Sequence, residues 1–540
     1  MKVKESSGWQ NYILFVMSII TLFAYEYGTR VFIFQSNPLP TTEAWISEFI
    51  GIFILALWLK SFLRRSIVSY GIALLIPVVY LFFFDVYIEV FNDTPKIHQL
   101  SLYVIFHSWS ELPLLYTGIL SGAILSVILF MEYKVKSLLY FISLPISFWL
   151  GAYLFSFNYD ENHPYSVDGY RNSFSYNSEG RLKIMFLDQV KNEYQKKMLT
   201  NAKENLWNEH YDQEKEKLLS NKNEDSSLPN IYLIVLESFV DMKNLQVDEM
   251  HIKYQDGYKG KIQREMGSAL SPIVGGGSVN AEFELLCGAP SLKLVDMWDF
   301  TLLKEMENPN CMIGALKEMG YSMVMNHGGM PYEFDSGYIY PKLKFDHQFY
   351  TTTKFYTGEY ENPNPNYHIS DLELFMQMLE KSDELNHEGP VINYMLGKFG
   401  HYPFDMDENR YRKTTNIPSL STDMNKILNQ EYHRQNFILK MIEALEIKDP
   451  DAIVLIIGDH TPPNNQANKN WVKNAYEVPL LMKDKDGWKH YKDIPIFNLY
   501  KFIFDSVSKG KFCEGECKIM PREAAIAEEL YFSFFSKLSM

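Results

Sequence analysis

Apolar residues are distributed so unevenly along this chain of 540 residues that it must be read as two units. Residues 1–157 are dominated by apolar and aromatic runs, while residues 158–540 read as a water-soluble protein. The mean hydropathy of -0.18 averages over that contrast. The length exceeds that of a single domain.

Five of the early runs qualify as membrane-spanning helices of about 20 residues each: Asn11–Phe34, Trp45–Leu59, Ile67–Val90, Leu112–Phe130 and Leu138–Phe157. Glu26 and Arg30 interrupt the first. The run after Lys2 and Lys4 lacks a small-residue cleavage site and is followed by more spans, so no cleavable signal is expected. Lys2 and Lys4, then Lys60, Arg64 and Arg65, then Lys134 and Lys136 mark one side of the membrane, whereas Gln35–Glu43 and Phe91–Leu100 are poor in Lys and Arg. The positive-inside bias places the amino terminus in the cytoplasm and, after an odd number of spans, everything beyond Phe157 outside it. The expected location is the inner (cytoplasmic) membrane, with an extracytoplasmic or periplasmic soluble half. Gly118 and Gly122 form a GxxxG that could make a helix contact. Asp85 and Glu89 either touch a lipid headgroup or lie at the outer interface.

Residues 158–228 form a polar, charged connector with helical character over Leu182–Asn221, broken by NKNEDSSLPN. From Asn230 the pattern changes. Ile231–Leu236, Tyr321–Met325, Val391–Leu396, Ile453–Ile457 and Val478–Met482 read as strands. Between them Cys311–Met319, His368–Leu385 (opened by Ser370 or Asp371) and Gln430–Ile447 read as helices. Such alternation predicts an α/β domain, 229–508, with a mainly parallel central sheet covered by helices on both faces. Residues 509–540 form a tail with a CxxxC and a helix. The formal charge of -15 argues against a nucleic-acid partner. Four cysteines in an exported half allow two disulfides, Cys287–Cys311 and Cys513–Cys517, with a metal site at the CxxxC as the rival.

In a parallel sheet, ligands gather beyond the carboxyl ends of the strands. Glu237, His327, His401 and the pair Asp459–His460 all lie just past predicted strands. Two carboxylates and an imidazole form a ligand set for a hard or borderline divalent cation. Gly275–Gly277 precede Ser278 and a helical run, so the Ser278 hydroxyl sits at a helix amino terminus that favours an anion. A serine there, activated by a metal, can attack phosphorus. Each element has a plain alternative: a helix-capping acid, a turn after the GDH, a flexible glycine loop, structural histidines. His347 is the weakest candidate. The agreement of topology with chemistry carries the reading.

Together these words resemble the lipoteichoic acid synthase and phosphoglycerol transferase family of the alkaline phosphatase/sulfatase superfamily. The resemblance rests on IYLIVLES, GGGSVNAEF and IGDH in this order, and covers nearly the whole chain. It implies one divalent metal, Mn2+ first with Mg2+ or Zn2+ as alternatives, bound by Glu237, Ser278, Asp459 and His460, with Ser278 as nucleophile. It implies that His327 and His401, the latter in GKFGHYPF, contact the glycerol phosphate group. Two departures stand out. The family's nucleophile is threonine, and its Phe-Trp-Asn-Arg word is replaced here by GGMPYEFDS, without arginine. The sulfatase signature CxPxR is absent, since Cys287 stands in CGAPS. The expected activity is transfer of glycerol phosphate from an anionic phospholipid, phosphatidylglycerol, to a glycan or polymer acceptor. Phosphoethanolamine transfer, headgroup hydrolysis and a non-catalytic role in envelope assembly are the alternatives.

Overall fold

A computed structural model describes residues 205–221, 227–247, 252–291, 303, 306–385, 389–462 and 472–536, with a smaller set among the first 203 residues. The chain separates into two compact units, one of residues 1–167 with 171–196 and one of residues 168–170 with 197–540. In the first, helix α1 (Ser7–Tyr25) is followed by helical residues within 45–56. Leu14, Leu22 and Tyr25 of α1 pack with Ile52, Ala56 and Leu74. Ile13, Ile20 and Phe23 remain exposed on its other side. Among the described residues no helix is long and apolar enough to cross a membrane. The expected spans Leu112–Phe130 and Leu138–Phe157, and nearly all of Ile67–Val90, lie outside the described residues.

The second unit is built on strands β1 (Ile231–Leu236), β2 (Gly267–Leu270), β3 (Ser322–His327), β4 (His347–Tyr350), β5 (Val391–Gly397), β6 (Ile453–Gly458), β7 (Glu477–Asp484), β8 (Gly487–Lys489) and β9 (Ile494–Pro495). The spatial order is β4-β3-β5-β1-β6-β7-β2-β9, with β8 on β7. The run β4 to β6 is parallel, and β7 turns antiparallel to β6. Strands β1, β5 and β6 are buried along their whole length, which is why they read as unbroken apolar runs rather than as alternation. Strands β2, β4 and β9, of two to four residues, are too short to show a period and were not anticipated.

Helices α2 (Leu206–Ser220), α3 (Ser278–Cys287), α4 (Asp371–Glu384), α5 (Thr422–Lys448), α6 (Leu499–Val507) and α7 (Ala525–Phe534) clothe the sheet. Leu374 and Phe375 of α4 and Phe437, Ile438 and Met441 of α5 join Met395, Ile234 and Ile456 in one core. The neighbouring Tyr394 points to the opposite face, where its hydroxyl donates to Glu282 of α3 at 2.6 Å. Both faces are therefore covered. Ser370 opens α4 by accepting the Glu373 N–H at 3.2 Å, and its hydroxyl donates to Glu373 Oε2 at 2.8 Å. Helix α5 starts earlier than its apolar pattern indicates because Ser421 caps it through the Met424 N–H. The expected helix at Cys311–Met319 is a 3-10 helix, Met312–Met319.

The carboxyl-terminal segment belongs to this unit. The Trp207 N–H donates to Ser533 at 2.8 Å, and Phe534 packs against both Trp207 and Phe283 at ring-centroid distances of 5.1 Å. Cys287 bonds Cys311 and Cys513 bonds Cys517, so the CxxxC is not a thiolate metal site.

Beneath the sheet ends lies a fully buried ionic group. Arg434 donates to Asp371 at 3.0 Å, to Glu431 at 2.5 Å and to the backbone oxygen of Glu237 at 3.0 Å. Burial pushes the Asp371 and Glu431 carboxyls up, Glu431 to about 7, against the lowering pull of Arg434. Removing the guanidinium would leave two acids buried without a counter-charge. Arg434→Met is expected to lower unfolding free energy by about 3–5 kcal/mol. The acids would then fold neutral, with folded-state pKa values further above those of the unfolded chain. Their contribution is present at low pH and lost as pH rises through the folded values. Urea denaturation of the variant should therefore show a deficit that widens from about pH 5 to about pH 8.

Candidate metal centre

Leu236 pairs with Gly397 on one side and with Gly458 on the other. Glu237, Lys398 and Asp459 are therefore the first residues beyond three neighbouring parallel strands, all at one level. Ser238 then takes a left-handed conformation, φ +52°, which turns its N–H toward Asp459 Oδ1 at 2.8 Å. A non-glycine residue held this way is strained backbone of the kind found at functional sites. The His460 N–H donates to the same oxygen at 2.7 Å.

The glycine loop delivers the hydroxyl. Gly277, at φ +76°, adopts a left-handed conformation that L side chains resist, and α3 begins immediately after it. The loop is tied to the exit of β6 by two bonds: Gly275 N–H to Thr461 O at 2.8 Å, and Ser271 Oγ to the Asp459 carbonyl at 2.6 Å. Ser278 Oγ consequently donates to Glu237 Oε2 at 3.2 Å and lies 3.4 Å from His460 Nε2. His460 Nε2 is 3.2 Å from Glu237 Oε1 and 3.3 Å from Asp459 Oδ2. All four side chains expected as ligands converge, and all four residues are buried.

These atoms fit a divalent cation. Ligand atoms of Glu237, Asp459 and His460 lie within 4.8 Å of one another. Asp459 Oδ2 is buried and takes part in no hydrogen bond. Two carboxylates, an imidazole nitrogen and a hydroxyl suit Mn2+, Mg2+ or Zn2+. Without a cation, His460 carries the compensating charge. Burial would lower its pKa, but Asp459 and Glu237 outweigh that and push it up to about 9. Burial and the Glu237 charge push Asp459 up to about 6. Glu237, also buried, is held well below the usual carboxylate range by the hydrogen bond from His460 and the charges of His401 and Lys398.

The other expected residues occupy the adjoining strand ends. His327 ends β3 and is fully buried. Its Nδ1 accepts the Gly329 N–H at 2.9 Å, so the neutral ring carries its proton on Nε2. Burial lowers its pKa to about 4, which keeps it neutral. His401 Nδ1 lies 2.6 Å from the Tyr402 carbonyl, and its ring packs on His368 at 5.2 Å. Burial and Lys398 lower the His401 pKa. His347 is exposed on edge strand β4 and takes no part in the site.

Several participants escaped the sequence reading. Ser238 holds both acids, its N–H donating to Asp459 Oδ1 and its hydroxyl to Glu237 Oε1 at 3.2 Å, yet one serine after a strand carries little signal. Glu282, one helical turn past Ser278, accepts from Tyr340 and Tyr394; burial raises it to about 7. Lys398 pairs with Glu333. Its signal was present in the word LGKFGH, a lysine directly after an apolar strand.

This chain belongs to the Sulfatase family, whose family model matches residues 229–505. No curated protein sequence matches it. Its fold is similar to that of the lipoteichoic acid synthase LtaP from Listeria monocytogenes, at 16% identity over 56% of this chain and 76% of that one, TM-score 0.41. It is likewise similar to the phosphoglycerol transferase GacH from Streptococcus pyogenes in complex with sn-glycerol-1-phosphate, at 15% identity over 62% and 94%, TM-score 0.46. The periplasmic domain of EcEptC from Escherichia coli in complex with Zn gives 14% identity over 53% and 84%, TM-score 0.37. Likeness at this level assigns no activity. Cys287 lies at the far end of α3 from Ser278 and is disulfide-bonded to Cys311, so it offers no free thiol beside these side chains.

The raised pKa of His460 has a measurable consequence. A divalent ion takes the imidazole as a neutral ligand, so its uptake at pH 7 must expel a proton. Calorimetric titration of Mn2+ in buffers of different ionisation enthalpy should show release of about one proton per ion. In the metal-free protein the His460 pairing stabilises the fold below the unfolded histidine pKa and is lost as pH rises toward about 9. The melting temperature of metal-free protein should fall over that range, and that of loaded protein should not. Equal profiles would mean that the ion binds elsewhere.

Proposed function

We propose that this protein is a membrane-anchored, metal-dependent phosphoglycerol transferase that moves glycerol phosphate from phosphatidylglycerol to a glycan or polymer acceptor through a covalent Ser278 intermediate. The observation that carries the proposal is the placement of Ser278 Oγ at the amino terminus of α3, 3.2 Å from Glu237 and 3.4 Å from His460. Bound by Glu237, Asp459, His460 and Ser278, a divalent ion (Mn2+ in this reading, with Mg2+ or Zn2+ as alternatives) would lower the pKa of the serine hydroxyl and offset charge on the phosphoryl group.

In the first step the Ser278 Oγ–P bond forms as the bond from phosphorus to the diacylglycerol oxygen breaks. The proton lost by Ser278 is matched by one gained by the diacylglycerol oxygen. In this reading His401 relays it, since the Nδ1 contact to Tyr402 O leaves Nε2 as a proton acceptor. In the second step an acceptor hydroxyl attacks phosphorus, Ser278 leaves, and the acceptor's proton returns to it. The α3 dipole stabilises negative charge at Oγ in both steps. His327 Nε2–H, buried and unbonded, is a donor for a phosphoryl oxygen.

Three features support the anchored, extracytoplasmic placement. The first 157 residues hold five apolar runs. Ile13, Ile20 and Phe23 on α1 are exposed, which suits a lipid environment. Two disulfides suit an oxidising compartment such as a periplasm. A lipid donor held in the same membrane would meet the site at high effective concentration.

Ser278→Ala is expected to reduce turnover of fluorescent phosphatidylglycerol by about 10^3-fold or more, with expression and melting temperature retained. Intact mass of acid-quenched wild-type protein should show the glycerophosphoryl adduct on Ser278. A phosphoethanolamine adduct would reassign the donor, and full activity in the alanine variant would eliminate the covalent step. Absence of both metal and turnover would identify a non-catalytic envelope protein.

A further inference from the structure

The second unit carries a cavity apart from the metal ligands. It encloses about 310 Å3 between the chain leaving β5 and the first two turns of α5, at the lower end of the range for ligand pockets, roughly 300–1,000 Å3. Side chains of α5 fix its far wall. Asn429 Oδ1 accepts the N–H groups of Thr414 and Thr415 at 2.6 and 3.0 Å, and its amide donates to Thr415 O at 2.7 Å. Asn425 accepts the Ile417 N–H at 2.7 Å and donates to Ile417 O at 3.0 Å.

The near wall is tied to the metal centre. The His401 N–H donates to Lys398 O at 3.1 Å, and the Phe404 N–H donates to His401 O at 2.9 Å. Two successive turns thus lead from the end of β5 to Phe404, which lines the cavity and is held at φ +60°. A left-handed phenylalanine is uncommon and costs free energy. Tyr402, 40% exposed, packs edge-on to the Phe404 ring at 5.6 Å and extends the apolar surface back toward His401.

The lining decides what can enter. Phe404, Met406 and Ile417 give an apolar floor. Asn416 and Thr422 are exposed, and among the described residues neither side chain has a hydrogen-bond partner. The charges cancel: Lys426 lies 2.7 Å from Asp405, and Lys413 lies 2.5 Å from Glu408. An anion would meet a carboxylate beside each ammonium, and Ser421 already caps the first turn of α5. An acyl chain would desolvate an amide, a hydroxyl and two ion pairs without offering them partners. A sugar satisfies both surfaces. Each of its hydroxyls donates and accepts, which suits the amide, hydroxyl and carboxylate groups, and its C–H face covers the floor.

We propose that this cavity is a binding subsite for an uncharged glycan, which makes the acceptor a neutral glycan rather than an anionic polymer. The acceptor role rests on the transferase reading above; the binding does not.

The test uses the full-length, metal-loaded protein in detergent. The probes are trisaccharides of glucose, galactose and N-acetylglucosamine, with an oligomer of glycerol phosphate as the anionic comparison, each titrated by calorimetry. At least one neutral trisaccharide should bind with Kd below about 1 mM. Raising salt from about 0.05 to about 0.5 M should change that affinity less than about twofold. The double variant Asn416→Ala/Thr422→Ala should weaken it about tenfold or more, with the melting temperature retained. Asn416→Trp, which fills the mouth instead of truncating it, should abolish binding. Wild-type affinity in both variants, salt-sensitive binding of the anionic oligomer alone, or no neutral glycan bound at about 10 mM would overturn the subsite. Glycan binding that Asn416→Trp abolishes, in a protein that forms no Ser278 adduct, would keep the subsite and defeat the transfer reading. Transfer to a glycan with an unchanged glycan KM in Asn416→Trp would do the reverse.

Discussion

The site depends on a register. Because Leu236 pairs with both Gly397 and Gly458, three parallel strands end side by side, and the polar residue that follows each emerges at the same height. Backbone hydrogen bonding alone sets this alignment, and the apolar side chains buried on both sheet faces lock it, since a slip of one residue would turn every one of them to the other face. Arg434 reinforces it from below by holding the Glu237 carbonyl. The strained Ser238 and the left-handed Gly277 are local adjustments that bring a backbone N–H and a hydroxyl to a point the sheet has already defined.

Charge is what makes this arrangement productive and also what makes it unstable without a ligand. Glu237 and Asp459 are buried within reach of one imidazole; the His460 hydrogen bond and the charges of His401 and Lys398 push Glu237 down, while burial and the Glu237 charge push Asp459 up. A divalent cation resolves that repulsion, whereas a protonated His460 only relieves it. Around this anionic centre, Lys398, His327 and His401 supply donors and a cation on the side of β3 and β5. The two carboxylates thus lie on one side of the site, and the Lys398–Glu333 pair with two histidines on the other. Glu282, held by two tyrosine hydroxyls behind Ser278, adds a third buried acid that fixes α3 to the sheet.

Much of this was legible because the central strands are short, continuous and apolar, so the polar word closing each one stands out. Glu237, Asp459 and His460 were found this way, and the glycine loop pointed to Ser278. The residues that were missed signal differently. Ser238 works through its main-chain N–H and a hydroxyl that only the fold turns toward Glu237. Arg434 sits inside a helical pattern where charge reads as solvated surface, and Asp371, at the start of its helix, reads as a cap. Lys398 follows its strand as Glu237 follows its own, yet a lysine between two glycine-flanked aromatic words reads as a loop residue until its burial is known.

By itself the sequence determined the mostly parallel α/β core and singled out Glu237, Ser278, Asp459 and His460 as candidates, because strand termination is a property of neighbouring residues. Only the tertiary structure decided the antiparallel turn at β7, the pairing of four cysteines, and the burial that leaves Lys398 facing Glu333 and His327 without an acceptor. Those outcomes depend on which distant segments share a surface, and the free energy of a buried charge or an unbonded donor exists only once that surface has closed.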